Sequence, residues 1–261
     1  MPTRERTYRT EALVLRRKDI GEADRVLTLL TPERGKVRVV AKGIRKPRSR
    51  KAGHLELFTR ASLLIAAGRD LDLITQAQAL ETYRPLREDL VRGAYAAYAV
   101  ELLDKFTPER QEAGELYQLL AHMLGWLSAV ADLALPARYY ELRLLTLAGF
   151  QPELRRCVLG GETIVAEAQY FSAPQGGAVC ARCGRGQAGL LPISMEALKY
   201  LRYFQSQPYS KVAGLKLAPG VLSEMERILQ RYIVYVLERQ LKSVEFLKLL
   251  QRQTAAQSPN H

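Results

Sequence analysis

The chain has 261 residues, nearly half of them apolar and a quarter charged, the make-up of a soluble globular protein with room for two domains. Its formal net charge is +12, and residues 1–82 hold 18 Lys and Arg against 10 Asp and Glu, which points to a polyanion met mainly through the first third. No apolar run approaches the roughly 20 residues of a membrane span, and the opening MPTRERTYRTEA lacks the apolar stretch of a secretory leader, so a cytoplasmic protein is expected.

Residues 8–81 read as five short strands, at 8–16, 25–31, 36–41, 55–66 and 71–80. Alternation in the first is imperfect in phase. Five strands in about 75 residues without helical periodicity fit a small closed barrel, of the oligonucleotide-binding (OB) or the SH3-like kind. Between the third and fourth strands lies the most informative stretch of the chain. From 42 to 51, six of ten residues are cationic (Lys42, Arg45, Lys46, Arg48, Arg50, Lys51) and none is acidic. Gly43 and Pro47 keep this stretch from being helical, so its charges form a loop suited to a phosphate backbone. Lys36 and Arg38, two residues apart on the third strand, share a face and extend the path. Only Tyr8, Phe58 and Tyr83 are available as stacking platforms, so backbone electrostatics should dominate, with little sequence preference.

After Tyr83 the period changes. Leu86, Leu90, Ala94, Tyr98 and Leu102 recur every fourth residue and predict one helix over 85–105. A second apolar face runs from Leu116 to Val130, and a third helix from Pro136 to Leu147. Helical patterning returns after Ser194, a suitable N-cap, and again from Pro219, with a polar and disordered tail expected from Thr254.

Between these helices, 151–189 is rich in Gly and Cys and has no helical period. All three cysteines of the chain, Cys157, Cys180 and Cys183, lie there, an odd count unsuited to a disulfide scaffold. Cys180-Ala-Arg-Cys183-Gly184 is a complete zinc knuckle, whereas Cys157-Val-Leu-Gly160-Gly161 has Gly160 where a fourth Cys would fall. Three thiolates hold zinc if Glu162, another side chain or water completes the set; the alternative is a knuckle that folds without metal. The expected fold is therefore α+β, with a five-stranded OB-fold barrel at 1–82 and an α-helical domain at 83–150 and 190–252. A zinc-finger-like insertion at 151–189 interrupts the helices.

No phosphate loop, Gly-x-Ser-x-Gly or His-Glu-x-x-His occurs, and the three His are scattered. The expectation is a binding protein and not an enzyme. Two other classes stay open on the residues: a zinc-dependent nucleic-acid enzyme and an RNA-binding module.

Several runs carry a resemblance across nearly the whole chain. They are Gly21-Glu22-Ala23-Asp24-Arg25, Gly35-Lys36, Ala41-Lys42-Gly43, Arg45-Lys46-Pro47-Arg48-Ser49-Arg50, the Cys180-x-x-Cys183-Gly184 knuckle and 237–243, LERQLKS. In this order they resemble the bacterial RecO family of DNA repair and recombination mediators. The resemblance implies a protein that binds single- and double-stranded DNA, anneals complementary strands and helps load RecA recombinase. Its implied partners are RecR, in some cases RecF, and the acidic C-terminal tail of single-strand-binding protein, in the nucleoid-associated cytoplasm. It assigns DNA contacts to Lys36, Arg38, Lys42, Arg45, Lys46, Arg48 and Arg50, to which the loop reading adds Lys51. The departure from the family pattern is Gly160, a Cys in the four-thiolate form.

Overall fold

The computed structural model describes residues 7–107, 109 and 111–257. The chain divides into two compact units, residues 1–130 with 246–261 and residues 131–245.

The first unit opens with β1 (Thr7–Ile20), β2 (Asp24–Thr31), β3 (Gly35–Ala41), β4 (Arg60–Ala66) and β5 (Asp72–Glu81). They close a barrel in the order β1-β2-β3-β5-β4, antiparallel throughout except for the parallel β3–β5 pair. Ala12, Val14, Leu27, Leu29, Val39, Ala41, Leu63, Ile65 and Ile74 point inward and form its core. The imperfect phase of β1 has two causes. A register shift falls between Val14 and Arg16, and the outward residues Leu13, Leu15 and Leu30 are buried as well. A strand covered on both faces loses its alternation.

The outer cover is helical. α1 (Pro85–Glu88), α2 (Leu90–Phe106) and α3 (Gly114–Ala129) belong to this unit, and α3 packs on β2. The single helix expected over 85–105 is broken at Asp89, which is extended and caps α2 by accepting from the Val91 and Arg92 amides. A cap carboxylate satisfies donors that a continuous helix would not leave open. The Ala113 amide, just before α3, donates to the Pro32 carbonyl at 2.9 Å. Gly35 takes a positive φ of 56°, and a Cβ there would fall 1.8 Å from the Gln111 carbonyl oxygen, so no other residue fits.

The fourth strand begins at Arg60 and not near 55. Ala52–His54 forms a 3₁₀ turn, and Leu55 enters the barrel core together with Ile44. These two apolar side chains tie the cationic loop to the barrel core. Ile44→Ala should cost about 2–5 kcal/mol, read as a fall in the urea midpoint at constant slope; no shift would mean that Ile44 does not hold the loop.

The second unit holds α4 (Ala134–Leu147), β6 (Gln169–Ser172), β7 (Gly177–Val179), α5 (Ala181–Gly184), β8 (Leu191–Ile193), α6 (Met195–Ser206), α7 (Tyr209–Val212) and α8 (Pro219–Leu237). α4, α6 and α8 pack on one another. Ser194 caps α6, accepting from the Ala197 amide at 3.1 Å. The Cys-bearing stretch is more ordered than its composition suggests: β7-β6-β8 form an antiparallel sheet, and Phe171 of β6 meets Tyr232 of α8 edge-on at 5.6 Å. Strands of three or four residues are too short to show a period. α9 (Lys242–Gln257) follows a left-handed Glu238, so 254–257 are helical where disorder was expected, and 258–261 lie outside the described residues. Among the described residues no helix is long and apolar enough to cross a membrane.

Candidate nucleic-acid interface and metal cluster

The cationic loop is held at both its base and its middle. The Gly43 amide donates to Asp24 Oδ1 at 2.7 Å, and the Arg45 amide to the Ala23 carbonyl at 3.0 Å. Two further turns follow, Lys46 N–H to the Gly43 carbonyl (3.2 Å) and Ser49 N–H to the Lys46 carbonyl (2.9 Å). The backbone is thus tied to the β1–β2 turn. Lys42, Arg45, Lys46, Arg48 and Arg50 are exposed, as is Arg38 on the outer face of β3. Among the described residues no ion pair involves Lys42, Lys46, Arg48, Arg50 or Arg38.

Arg45 is partly engaged. Its Nε lies 3.4 Å from Asp19 Oδ2, and its guanidinium donates to the Gly21 carbonyl at 3.3 Å. The Asp19 carboxyl is held below its usual range, first by its hydrogen bond from Arg25 (2.6 Å), with Arg45 and Arg17 adding to the effect. Arg17 and Arg25 are shared with a second carboxylate, Glu56.

Two residues expected on the DNA path are used by the protein itself. The Lys36 ammonium donates to Asp104 Oδ1 (3.0 Å) and to the Asp104 carbonyl (3.1 Å), and its side chain is only 13% exposed. Asp104, near the end of α2, also pairs with Arg16 at 2.5 Å. Lys36 does share the outer face of β3 with Arg38, but at the height where α2 covers the barrel. Lys51 donates to the Ile74 carbonyl at 3.1 Å, and burial lowers its pKa. Neither residue is presented to solvent as the other loop cations are. Lys36→Ala should therefore lower the thermal midpoint, leaving DNA affinity of the folded protein within about twofold; a tenfold affinity loss at full folding would place Lys36 on the DNA path.

The aromatic side chains are also committed. Phe58 and Tyr83 are buried, and Tyr83 donates to the Ala121 carbonyl at 3.1 Å. The Tyr8 ring packs against the barrel core and carries the Arg34 guanidinium at 4.0 Å. What this barrel offers a polyanion is charge without stacking.

Among the described residues one group could hold a metal ion: Cys157, Glu162, Cys180 and Cys183, whose ligand atoms all lie within 4.8 Å of one another. The donors of a closed tetrahedral zinc–thiolate site stand about 3.8 Å apart for bonds near 2.3 Å, so the group needs only to tighten. Amides already point at sulfur, from Gly160 and Cys180 to Cys157 Sγ (3.3 and 3.4 Å) and from Cys183 to Cys180 Sγ (3.4 Å). Burial opposes the Cys157 thiolate, but the Cys180, Gly160 and Leu159 amides and the Cys180 thiol outweigh it, bringing its pKa down to about 7. Cys183 is pushed up by its thiol hydrogen bond with Cys180, then by burial and the closeness of Cys157. A Cys157 thiol poised to ionise beside a Cys183 thiol pushed the other way suits a cation that takes up the surplus negative charge.

Barrel order, cationic loop and thiolate cluster define an OB-fold protein with a zinc-finger-like insertion. Residues 5–83 match the family model described as Recombination protein O N terminal, and residues 87–245 match Recombination protein O C terminal. The chain is 42% identical over 256 residues to the DNA repair protein RecO of Roseiflexus sp. (strain RS-1), covering 98% of this chain and 90% of that protein. It is 36% identical over 250 residues to the DNA repair protein RecO of Dehalococcoides mccartyi (strain ATCC BAA-2266 / KCTC 15142 / 195), covering 96% and 98%. The chain belongs to the RecO family.

Proposed function

We propose that this protein is a DNA repair and homologous recombination mediator that binds single- and double-stranded DNA through the cationic loop and anneals complementary strands. Membership in a family whose relatives are named DNA repair proteins supports the biological role. The physical role rests on one observation: Lys42, Lys46, Arg48 and Arg50 project from a pinned backbone and, among the described residues, form no ion pair. Arg38 lies along the same route, with Arg45 at its edge.

Annealing requires no covalent step, so no catalytic residue is assigned. Two backbones that must meet repel each other over about 10 Å at 0.1 M salt. A row of cations that condenses on phosphate releases counterions and lowers that repulsion, and it retains a second strand near the first. Stacking platforms would select bases and slow release, and the committed aromatics of this barrel avoid both. The family resemblance adds assistance to RecA loading with RecR, in some systems RecF, and contact with the C-terminal tail of single-strand-binding protein, in the nucleoid-associated cytoplasm.

In the second unit, Cys157, Cys180 and Cys183 would hold a structural zinc that fixes the sheet-bearing insertion to the helices. Bound zinc supplies cross-linking and no redox chemistry.

The test is annealing of two complementary oligonucleotides followed by fluorescence. The protein should accelerate it, and excess single-stranded DNA should compete better than structured RNA of equal length. No acceleration, or a preference for the RNA, overturns this reading.

A further inference from the structure

The first knuckle lacks its second thiol, but the space for a fourth donor is filled. We infer that Glu162 is the fourth metal ligand, two residues beyond the place of a Cys-x-x-Cys knuckle's second thiol, that Arg182 positions it, and that its carboxylate occupies the space that Gly160 leaves open. This rests on the zinc reading above and specifies its ligand chemistry as three thiolates and one carboxylate.

Gly160 carries the steric argument. A Cβ there would lie 2.9 Å from Cys183 Sγ, so a side chain at 160 heads into the sulfur cluster. The same Cβ would lie only 2.1 Å from Glu162 Oε2. The carboxylate oxygen therefore stands where a side chain at 160 would start, and the end of the Glu162 chain would have to swing aside for a Cys there.

Backbone geometry brings Glu162 there. The Cys157 amide donates to the Glu162 carbonyl at 2.7 Å, and the Gly161 amide to the Cys157 carbonyl at 2.8 Å. This turn folds residue 162 back over the first cysteine. The two carboxylate oxygens then have different partners. Arg182, the residue before Cys183 within the second knuckle, pairs with Oε1, leaving Oε2 on the side of Gly160 and the sulfurs. A ligating carboxylate fixed by an outer hydrogen bond is the usual arrangement around zinc, which binds carboxylate oxygen at about 2.0–2.2 Å beside thiolate at about 2.3 Å. Charge agrees too. Three thiolates and a carboxylate leave a dicationic metal site at −2, and the Arg182 guanidinium offsets half of that.

Cobalt(II) reports both ligand type and number. Metal-free full-length protein titrated with Co²⁺ should bind one ion per chain, with thiolate charge-transfer absorption and the d–d bands of a tetrahedral site. Glu162→Ala should keep the charge-transfer intensity per bound cobalt, shift the d–d bands and weaken binding at least about 100-fold, and Arg182→Ala should weaken it about 10-fold. Gly160→Cys combined with Glu162→Ala should restore tight binding and raise charge-transfer intensity by about one third, from three thiolates to four. If Glu162→Ala binds Co²⁺ with unchanged affinity and unchanged d–d bands, the ligand assignment is overturned while the zinc reading stands. If the unaltered protein binds no Co²⁺, both fall.

Discussion

A chain with Lys42, Lys46, Arg48 and Arg50 replaced by Ala should release single-stranded DNA at salt concentrations where the unaltered chain still holds it. The five exposed cations without ion pairs, these four and Arg38, would give a slope near −0.7 × 5, or about −3.5, in log affinity against log salt. Affinity should then fall about 100-fold between 50 and 200 mM salt. With the four removed the slope should drop to about −0.7, and the same salt change should cost only about threefold. Annealing should slow in parallel. Because no ion pair among the described residues involves these side chains and Ile44 anchors the loop beneath them, the thermal midpoint should not move. An unchanged salt slope in the fourfold variant removes the loop from the DNA path.

The second large effect is on stability. Arg138 and Glu141 on α4 are almost wholly buried, at 2% and 0% exposure, and pair at 2.7 Å; Arg138 also meets Glu226 of α8 at 3.0 Å. Glu141→Ala leaves the guanidinium in the interior without one of its carboxylate partners. Breaking a buried pair from one side costs about 3–5 kcal/mol, whereas replacing both members with apolar residues of like volume is often neutral. Glu141→Ala should accordingly lower the urea midpoint steeply, and Arg138→Met with Glu141→Leu should recover most of the loss. A single-variant cost under about 1 kcal/mol would show that water reaches the pair.

These two predictions differ in how visible they were along the chain. The loop could be read directly, because six cations in ten residues with Gly43 and Pro47 need no tertiary information. Its anchor could not: Ile44 sits among those cations, and nothing local says that it turns inward with Leu55. The expected helix over 85–105 shows the opposite error. Leu90 continues the four-residue ridge of Leu86, Ala94 and Tyr98, yet it is 65% exposed, because Asp89 stops one helix and starts another. Periodicity counts apolar positions and is blind to a capping carboxylate that competes for the backbone. In the insertion, the cysteine spacing disclosed the cluster, and Glu162 was within view as one candidate among several. The proposal that it is the fourth ligand rests on the distances around Gly160.

Order along the chain was enough to read a five-stranded barrel, helices and a Cys-bearing insertion, because strand alternation, helical ridges and knuckle spacing are local patterns imposed by backbone geometry; that the first three helices cluster with the barrel is a tertiary fact. Which cations remain for a ligand was decided only by the folded arrangement. Lys36 and Arg38 are chemically equivalent on paper, but α2 brings Asp104 to one and not to the other. Pairing of charges depends on distances between segments 68 residues apart in sequence, and no local pattern encodes those.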